Sequence, residues 1–279
     1  MISESDIEIV RQLPENVHIK HAVFDHDGTL STLREGWEGV MEPMMVSAIL
    51  GSIFDISIKD IKIVEDTVRD FIDDTTGIQT LVQMSGLVDL VKKFGYVPES
   101  EVLDMYGYKD RYNNALIQEV RERVNDLKCG RFTSEDFQIR NAGKILRRLY
   151  DAGVKLYLAS GTDHEDLVEE ATVMGYADLF EGRIYGATSD IKIEAKREIL
   201  MKIFRDNGIH GSELVVFGDG PVEIREARKC GGIAVGVASD EVARYGINQR
   251  KRTRLINAGA DLIVPDFTDT EELMQLLGV

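Results

Sequence analysis

The sequence predicts an α/β protein: a parallel, doubly wound sheet whose first strand is separated from the second by a long helical block. Three observations carry this. Short, almost continuously apolar runs lie between turn signals. Amphipathic helical stretches alternate with them from about residue 154 onward. Residues 33–135 show helical patterns and no convincing strand. Alternation of this kind builds a sheet covered by helices on both faces.

The predicted strands, in order, are HAVF (21–24), VKLYLA (154–159), ELVVF (213–217), IAVGVA (233–238) and LIV (262–264), with GRIYG (182–186) a weaker sixth. Each is too short and too evenly apolar for a surface helix. Between the later strands, Glu165–Met174 places Leu167, Val168, Ala171 and Met174 at helical spacing. Glu194–Asp206 does the same with Ile199, Leu200, Ile203 and Phe204, and stops at Asn207-Gly208. Pro221–Lys229 opens with a proline, whose missing N–H costs nothing in a first turn. The helical block divides into Trp37–Ile53, Lys59–Asp73, Ile78–Lys93 and Lys109–Lys128, with breaks at Gly77, at Gly95-Tyr96-Val97-Pro98 and at Gly107. This gives a core of residues 1–32 and 136–279 and an inserted helical domain of 33–135, with hinges near 31–36 and 129–135.

A formal net charge of −16 opposes nucleic acid or an anionic membrane as partner, since both reward clustered Lys and Arg. The start, MISESDIEIVRQL, carries acids where a signal peptide needs a basic and then an apolar stretch. The longest apolar segment, roughly Met44 to Phe54, is too short to span a bilayer. Cys129 and Cys230 lie far apart and form no metal-ligand pattern, so they read as ordinary thiols. A cytoplasmic location is the expectation.

Chemistry-bearing residues follow three of the strands. Asp25 and Asp27 come after the first, Ser160, Gly161 and Thr162 after the second, and Gly218 and Asp219 after the third. Singly, each reads as a turn residue or helix cap. In an open parallel sheet, however, the carboxyl ends of the strands share one edge, where ligands bind. Carboxylates gathered there repel one another unless a hard cation holds them, and Mg2+ suits that role with its preference for oxygen ligands and phosphate. Asp25 and Asp219 are the expected ligands, and Glu223, one helical turn after Asp219, could reach the metal's waters. A carboxylate can also attack phosphorus, and a second one nearby can move protons.

These residues carry a resemblance. DHDGTL (25–30) resembles the DxDGT signature of the haloacid dehalogenase-like superfamily. The family's later motifs follow in order: LYLASGT (156–162), a lysine at Lys196, and VVFGDGPVE (215–223). The resemblance implies a Rossmann-like core with an inserted helical cap, in the branch that holds phosphoglycolate phosphatases and β-phosphoglucomutases. It implies Asp25 as nucleophile forming an aspartyl-phosphate. Asp27 becomes the acid–base group, with its main-chain carbonyl also on Mg2+. Ser160, Gly161 and Lys196 become phosphate-binding residues and Asp219 a metal ligand, with Lys192 the alternative lysine. The implied activity is Mg2+-dependent hydrolysis of a small phosphorylated metabolite, a sugar phosphate or phosphoglycolate-like compound. A phosphomutase with the same core and a non-catalytic phosphate-binding module are the alternatives.

The chain departs from the pattern at His26, where the family has an apolar residue, and at Glu223, where it has Asp. His26 reads as packing or hydrogen bonding beside the site. FGDG (217–220) is only half of a dinucleotide-binding loop, because Glu223 stands where its third glycine belongs. The basic residues Arg250, Lys251, Arg252 and Arg254 read as a solvated helix face. Ser239-Asp240 reads as the cap of the helix that follows. Arg34 and Trp37 stand at the entrance to the helical block, where substrate contact competes with solvent exposure for Arg34 and hinge packing for Trp37.

Overall fold

The computed structural model describes residues 6–52, 56–76, 78–187, 197, 201–203, 205, 206, 208 and 211–279. Seven strands form one sheet: β1 (Glu8–Ile9), β2 (His21–Phe24), β3 (Lys155–Asp163), β4 (Ile184–Ala187), β5 (Leu214–Gly218), β6 (Ile233–Val237) and β7 (Leu262–Val264). Their order across the sheet is β1-β7-β6-β5-β2-β3-β4. All neighbours run parallel except β1, which lies antiparallel on β7. This is the predicted Rossmann-like α/β sheet, with the added two-residue edge strand β1, too short to leave a pattern in the sequence.

Both faces of the sheet are buried, which is why the strands read as unbroken apolar runs. Ala22 and Phe24 join one core cluster while Val23, between them, joins the other. Phe24 stacks on Phe217 of the neighbouring strand with ring centroids 4.4 Å apart, and Phe267 meets both edge-on.

The four helices after β2 are α1 (Trp37–Leu50), α2 (Ile58–Thr75), α3 (Thr80–Phe94) and α4 (Met105–Lys128). α1 packs on α2, and α4 on both α1 and α3. Their buried stripes, such as Val64, Val68 and Ile72 on α2, belong to the same cluster as one face of the sheet. Gly107 does not break the chain; it lies in the first turn of α4, where its N–H is held by the Asp104 side chain at 2.9 Å. A good N-cap three residues upstream outweighs one glycine. Arg123 of α4 donates to the carbonyls of Leu33 and Glu35 at 2.7 and 3.0 Å, fixing the block to the segment that enters it.

The remaining helices are α5 (Ala142–Asp151), α6 (His164–Val173), α7 (Pro221–Lys229), α8 (Gln249–Ala258) and α9 (Thr270–Leu276). The predicted helix Glu194–Asp206 lies almost wholly outside the described residues, as do Lys192 and Lys196. Among the described residues no helix is long and apolar enough to cross a membrane, and both cysteines are free thiols.

Two further expectations are corrected. Ser239-Asp240 does not cap α8. Asn248 does, accepting from Arg250 N and Lys251 N, whereas Ser239 donates to the Gly28 carbonyl at 2.6 Å. Nor is the basic run a solvated face: Lys251 is buried, Arg252 pairs with Glu8, and Arg254 with Asp73. Their acidic partners come from distant parts of the chain, so the local charge pattern could not reveal them.

Candidate active site

β2, β3 and β5 are adjacent, so their carboxyl ends meet at one point of the sheet edge. β2 ends in a tight turn. The His26 carbonyl accepts the N–H groups of Thr29, Leu30 and Ser31, and Gly28 takes φ +70°, a region that favours glycine. A side chain at Gly28 would collide with both the Asp219 carboxylate and the Lys251 ammonium. The turn thus brings Asp27 back beside the strand end. β3 runs further than its apolar run implies, through Ser160, Gly161, Thr162 and Asp163, with a register irregularity between Ala159 and Asp163.

The result is one cavity of about 80 Å³ whose floor includes Asp25, Asp27, Ser160, Gly161, Thr162 and Asp219. Its roof comes from the helical block: Trp37 and Met41 of α1, Gln83 of α3, and Lys109, Tyr112 and Asn113 of α4. Asp25 and Asp219 are buried at 5% and 4% exposure. Of the anticipated residues, Lys196 is not described. Glu223 is buried but packed against the backbone of Gly218 and Gly220, and it is not part of the cavity wall.

Asp27 sits in a dense set of partners. Its Oδ2 accepts from Thr162 Oγ1 at 2.8 Å and Ser160 Oγ at 3.3 Å. Its Oδ1 faces His26 Nδ1 at 3.3 Å and Arg34 Nε at 3.9 Å. Burial disfavours its charge, yet the His26 and Arg34 cations and the Thr162 hydroxyl outweigh that, so its carboxyl lies well below the usual range. His26, fully buried, contacts Tyr176 Oη through Nε2 at 2.8 Å and has Glu170 Oε2 at 3.5 Å. Burial opposes its protonation, but Asp27, Glu170 and Asp25 together raise its pKa. His26 is therefore a hydrogen-bonded neighbour of Asp27, one of the two roles the sequence leaves open. His26, Asp27 and Glu170 offer ligand atoms within 4.8 Å of one another. Arg34 already grips Glu170, at 2.6 Å through Nη2, so the trio forms a charge network with its own cation.

Of the other participants, the sequence singles out Arg34, Trp37 and Thr162, but not Lys109 and not a site role for Lys251. Arg34 is 12% exposed and lines the cavity, which sets aside the solvent-exposed one of the two readings the sequence leaves open. Trp37 both lines the cavity and packs on the core. Lys109 reaches down from α4 to both oxygens of Asp163 at 2.7 and 2.8 Å. Lys251 lies 2.8 Å from Asp219 Oδ2 and 2.6 Å from Glu241 Oε1. Burial works against its charge, but those two carboxylates more than offset it and raise its pKa. Thr162, two residues after Ser160 on a strand, faces the same way.

A set of buried oxygen donors at the edge of a parallel sheet, roofed by a helical insertion, defines an α/β enzyme with its site at a strand-end crevice. Residues 19–231 match the sequence profile described as "Hydrolase: haloacid dehalogenase-like hydrolase", and the chain belongs to that family. No curated protein matches it in sequence. Among solved structures it is similar to a predicted phosphoglycolate phosphatase from Haemophilus somnus, at 18% identity and TM-score 0.59, over 92% of this chain and 98% of that one. It is also similar to β-phosphoglucomutase from Clostridium difficile, at 14% identity and TM-score 0.60, over 93% and 97%. A third is a haloacid dehalogenase family hydrolase from Deinococcus radiodurans with bound phosphate and sodium, at 18% identity and TM-score 0.54, over 94% and 97%. These likenesses establish the shared fold.

Proposed function

We propose that the chain is a Mg2+-dependent phosphatase of a small phosphorylated metabolite, with residues 33–135 serving as its cap. The observation that carries this reading is the convergence of Asp25, Asp27, Ser160 and Asp219 on one roofed cavity. Asp25 is the nucleophile: its carboxylate attacks phosphorus in line, forming the aspartyl-phosphate as the leaving oxygen departs. Asp27 gives that oxygen its proton and later takes one from the water that hydrolyses the acyl phosphate. Arrival of a phosphate dianion raises the proton affinity of Asp27, offsetting the donors that keep it ionised at rest. Those donors also fix the direction in which its oxygens point.

The donor chemistry fits a divalent cation, since the Asp25 and Asp219 carboxylates and the Asp27 main-chain carbonyl are hard oxygen ligands. When bound there, Mg2+ supplies charge stabilisation to the transferring phosphoryl group. Lys251 holds Asp219 from its Oδ2 side. In this reading Ser160 and the Gly161 backbone donate to phosphoryl oxygens, Lys196 is the family-implied partner, and Glu223, packed against Gly218 and Gly220, supports the Asp219 loop. The roof over the cavity supports a compact ester, in line with the names of the phosphoglycolate phosphatase and β-phosphoglucomutase relatives. The cap shuts bulk water out during the reaction.

The test is release of inorganic phosphate from an aryl phosphate and from a panel of small phosphate esters, with and without Mg2+. We expect Mg2+-dependent release that Asp25→Asn abolishes. Phosphoryl transfer between sugar positions with little free phosphate points to a mutase instead. Equal inactivity of wild type and Asp25→Asn across the panel means a non-catalytic binding module.

A further inference from the structure

α2 ends at Thr75 with no basic residue in its last turn, although a helix C-terminus favours positive charge. The cations come from α8 on the other side of the seam. Arg250 donates to Asp73 Oδ2 through Nε and Nη2 at 3.1 and 2.6 Å. Arg254 donates through Nη1 to Asp73 Oδ1 at 3.1 Å and to Thr76 Oγ1 at 3.3 Å. The other arm of the same guanidinium, Nη2, donates to the main-chain carbonyl of Asp219 at 3.1 Å. Its side chain is only 10% exposed.

The turn between α2 and α3 is seated at the same place. A Cβ at Gly220 would lie 2.8 Å from the Thr76 carbonyl oxygen, and one at Gly161 2.6 Å from that of Ile78. Two glycines at the ends of β3 and β5, the strands on either side of β2, thus let Thr76 and Ile78 press directly onto the backbone. From these contacts we infer that Arg254 is a positioning residue, coupling the seating of the helical block to the placement of Asp219. One planar fork holds Asp73 and Thr76 on one side and the Asp219 carbonyl on the other, so neither can shift without turning it. Lifting the turn removes the acceptors that orient the guanidinium and frees the Asp219 loop. The inference rests on reading Asp219 as a metal ligand only for its functional meaning; the mechanical coupling stands on the contacts.

The test compares hydrogen exchange, by mass spectrometry on the full chain, in wild type, Arg254→Gln, Arg254→Lys and Asp73→Asn. Asp73→Asn is the decisive variant: it sits on a partly exposed surface and touches the guanidinium, not the Asp219 loop. We expect it to raise exchange several-fold both at residues 78–83 and at residues 219–222, and Arg254→Gln to do the same. Arg254→Lys, which reaches Asp73 but lacks the second arm, should loosen residues 219–222 alone. Loosening of 78–83 by Asp73→Asn with 219–222 unchanged overturns the coupling, as does Arg254→Gln changing neither segment. Titration with Mg2+ alone, followed by calorimetry, should show several-fold weaker binding in Arg254→Gln and Asp73→Asn, and an unchanged constant overturns the consequence for Asp219. Failure of wild type to bind Mg2+ counts against the proposed metal site, while the exchange measurements still decide the coupling.

Discussion

Replacing Lys251 by methionine keeps most of the side-chain volume and removes the cation held between the buried Asp219 and the part-buried Glu241. The ammonium lies 2.8 Å from Asp219 and 2.6 Å from Glu241, with side-chain exposures of 10%, 6% and 13% for the three groups. Breaking a buried pair by deleting one partner costs about 3–5 kcal/mol, because the surviving charge is left in a poor dielectric. Glu241 limits the loss. Burial first, and then neighbouring carboxylates, raise its pKa despite Lys251, so without the lysine it takes up a proton more readily. That places the expected loss near the lower end, about 3 kcal/mol, or roughly 6–12 °C in midpoint at ~2–4 °C per kcal/mol. A lysine with a raised folded pKa stabilises fully below its ordinary pKa and loses this effect only as pH rises through the folded value. The deficit is therefore present at pH 7 and shrinks in acid, as Glu241 neutralises. The assay is thermal unfolding followed by circular dichroism, in EDTA, from pH 5 to 8. A midpoint within about 1 °C of wild type at pH 7 refutes the reasoning, since a solvated lysine contributes that little.

Three further outcomes are expected. Thr162→Val removes the 2.8 Å hydrogen bond to Asp27 Oδ2; at about 1.5–3 kcal/mol for a bond to a charged acceptor, kcat on an aryl phosphate should fall about tenfold or more with KM little changed. Gly161→Ala sets a methyl 2.6 Å from the Ile78 carbonyl oxygen; overpacking of about 1–3 kcal/mol should raise KM by pushing the helical turn away, and an unchanged KM counts against the seat. His21, driven down to a pKa of about 4 chiefly by burial and then by Lys155, binds its proton better when the chain is unfolded. Stability should thus be full above about pH 6.5 and fall by about 1–2 kcal/mol towards pH 4, discounted for partial solvation, and His21→Gln should flatten that slope in thermal melts.

What the sequence disclosed and what it hid follow from the range of the forces involved. β2, β5, β6 and β7 announced themselves because burial on both faces leaves an apolar residue at almost every position, His21 excepted. β1 did not, because two residues on an edge have no period. β3 was cut short at Ala159, since its polar end serves the cavity and not the core. Asp25, Asp27, Ser160 and Asp219 were found through their shared position after strands, a topological signal. Lys251 and Arg254 were lost for the opposite reason. A helical run of basic residues looks the same whether it faces water or a set of carboxylates, and theirs come from Asp73, Asp219 and Glu241. Pairing of Arg254 with Asp73 across 181 residues, and of Lys251 with Asp219 from another strand end, leaves no mark on local pattern. His26 lay between these cases: its place was visible, but its partner Tyr176 is 150 residues away.

The position of β2 between β3 and β5 has a consequence for how the chain comes into being. β2 leaves the ribosome long before either neighbour exists, since β3 starts at Lys155 and β5 at Leu214. At about 5–20 residues per second, the roughly 130 residues between β2 and β3 take about 7–26 s to make. During that wait α1 to α4 emerge complete, and their mutual contacts are close in sequence and quick to form. The helical block can therefore condense while the central strand still has no partner. Asp25 meets Asp219 only after synthesis has passed β5, so a chain stalled earlier carries the block and the first aspartates but not the assembled candidate site.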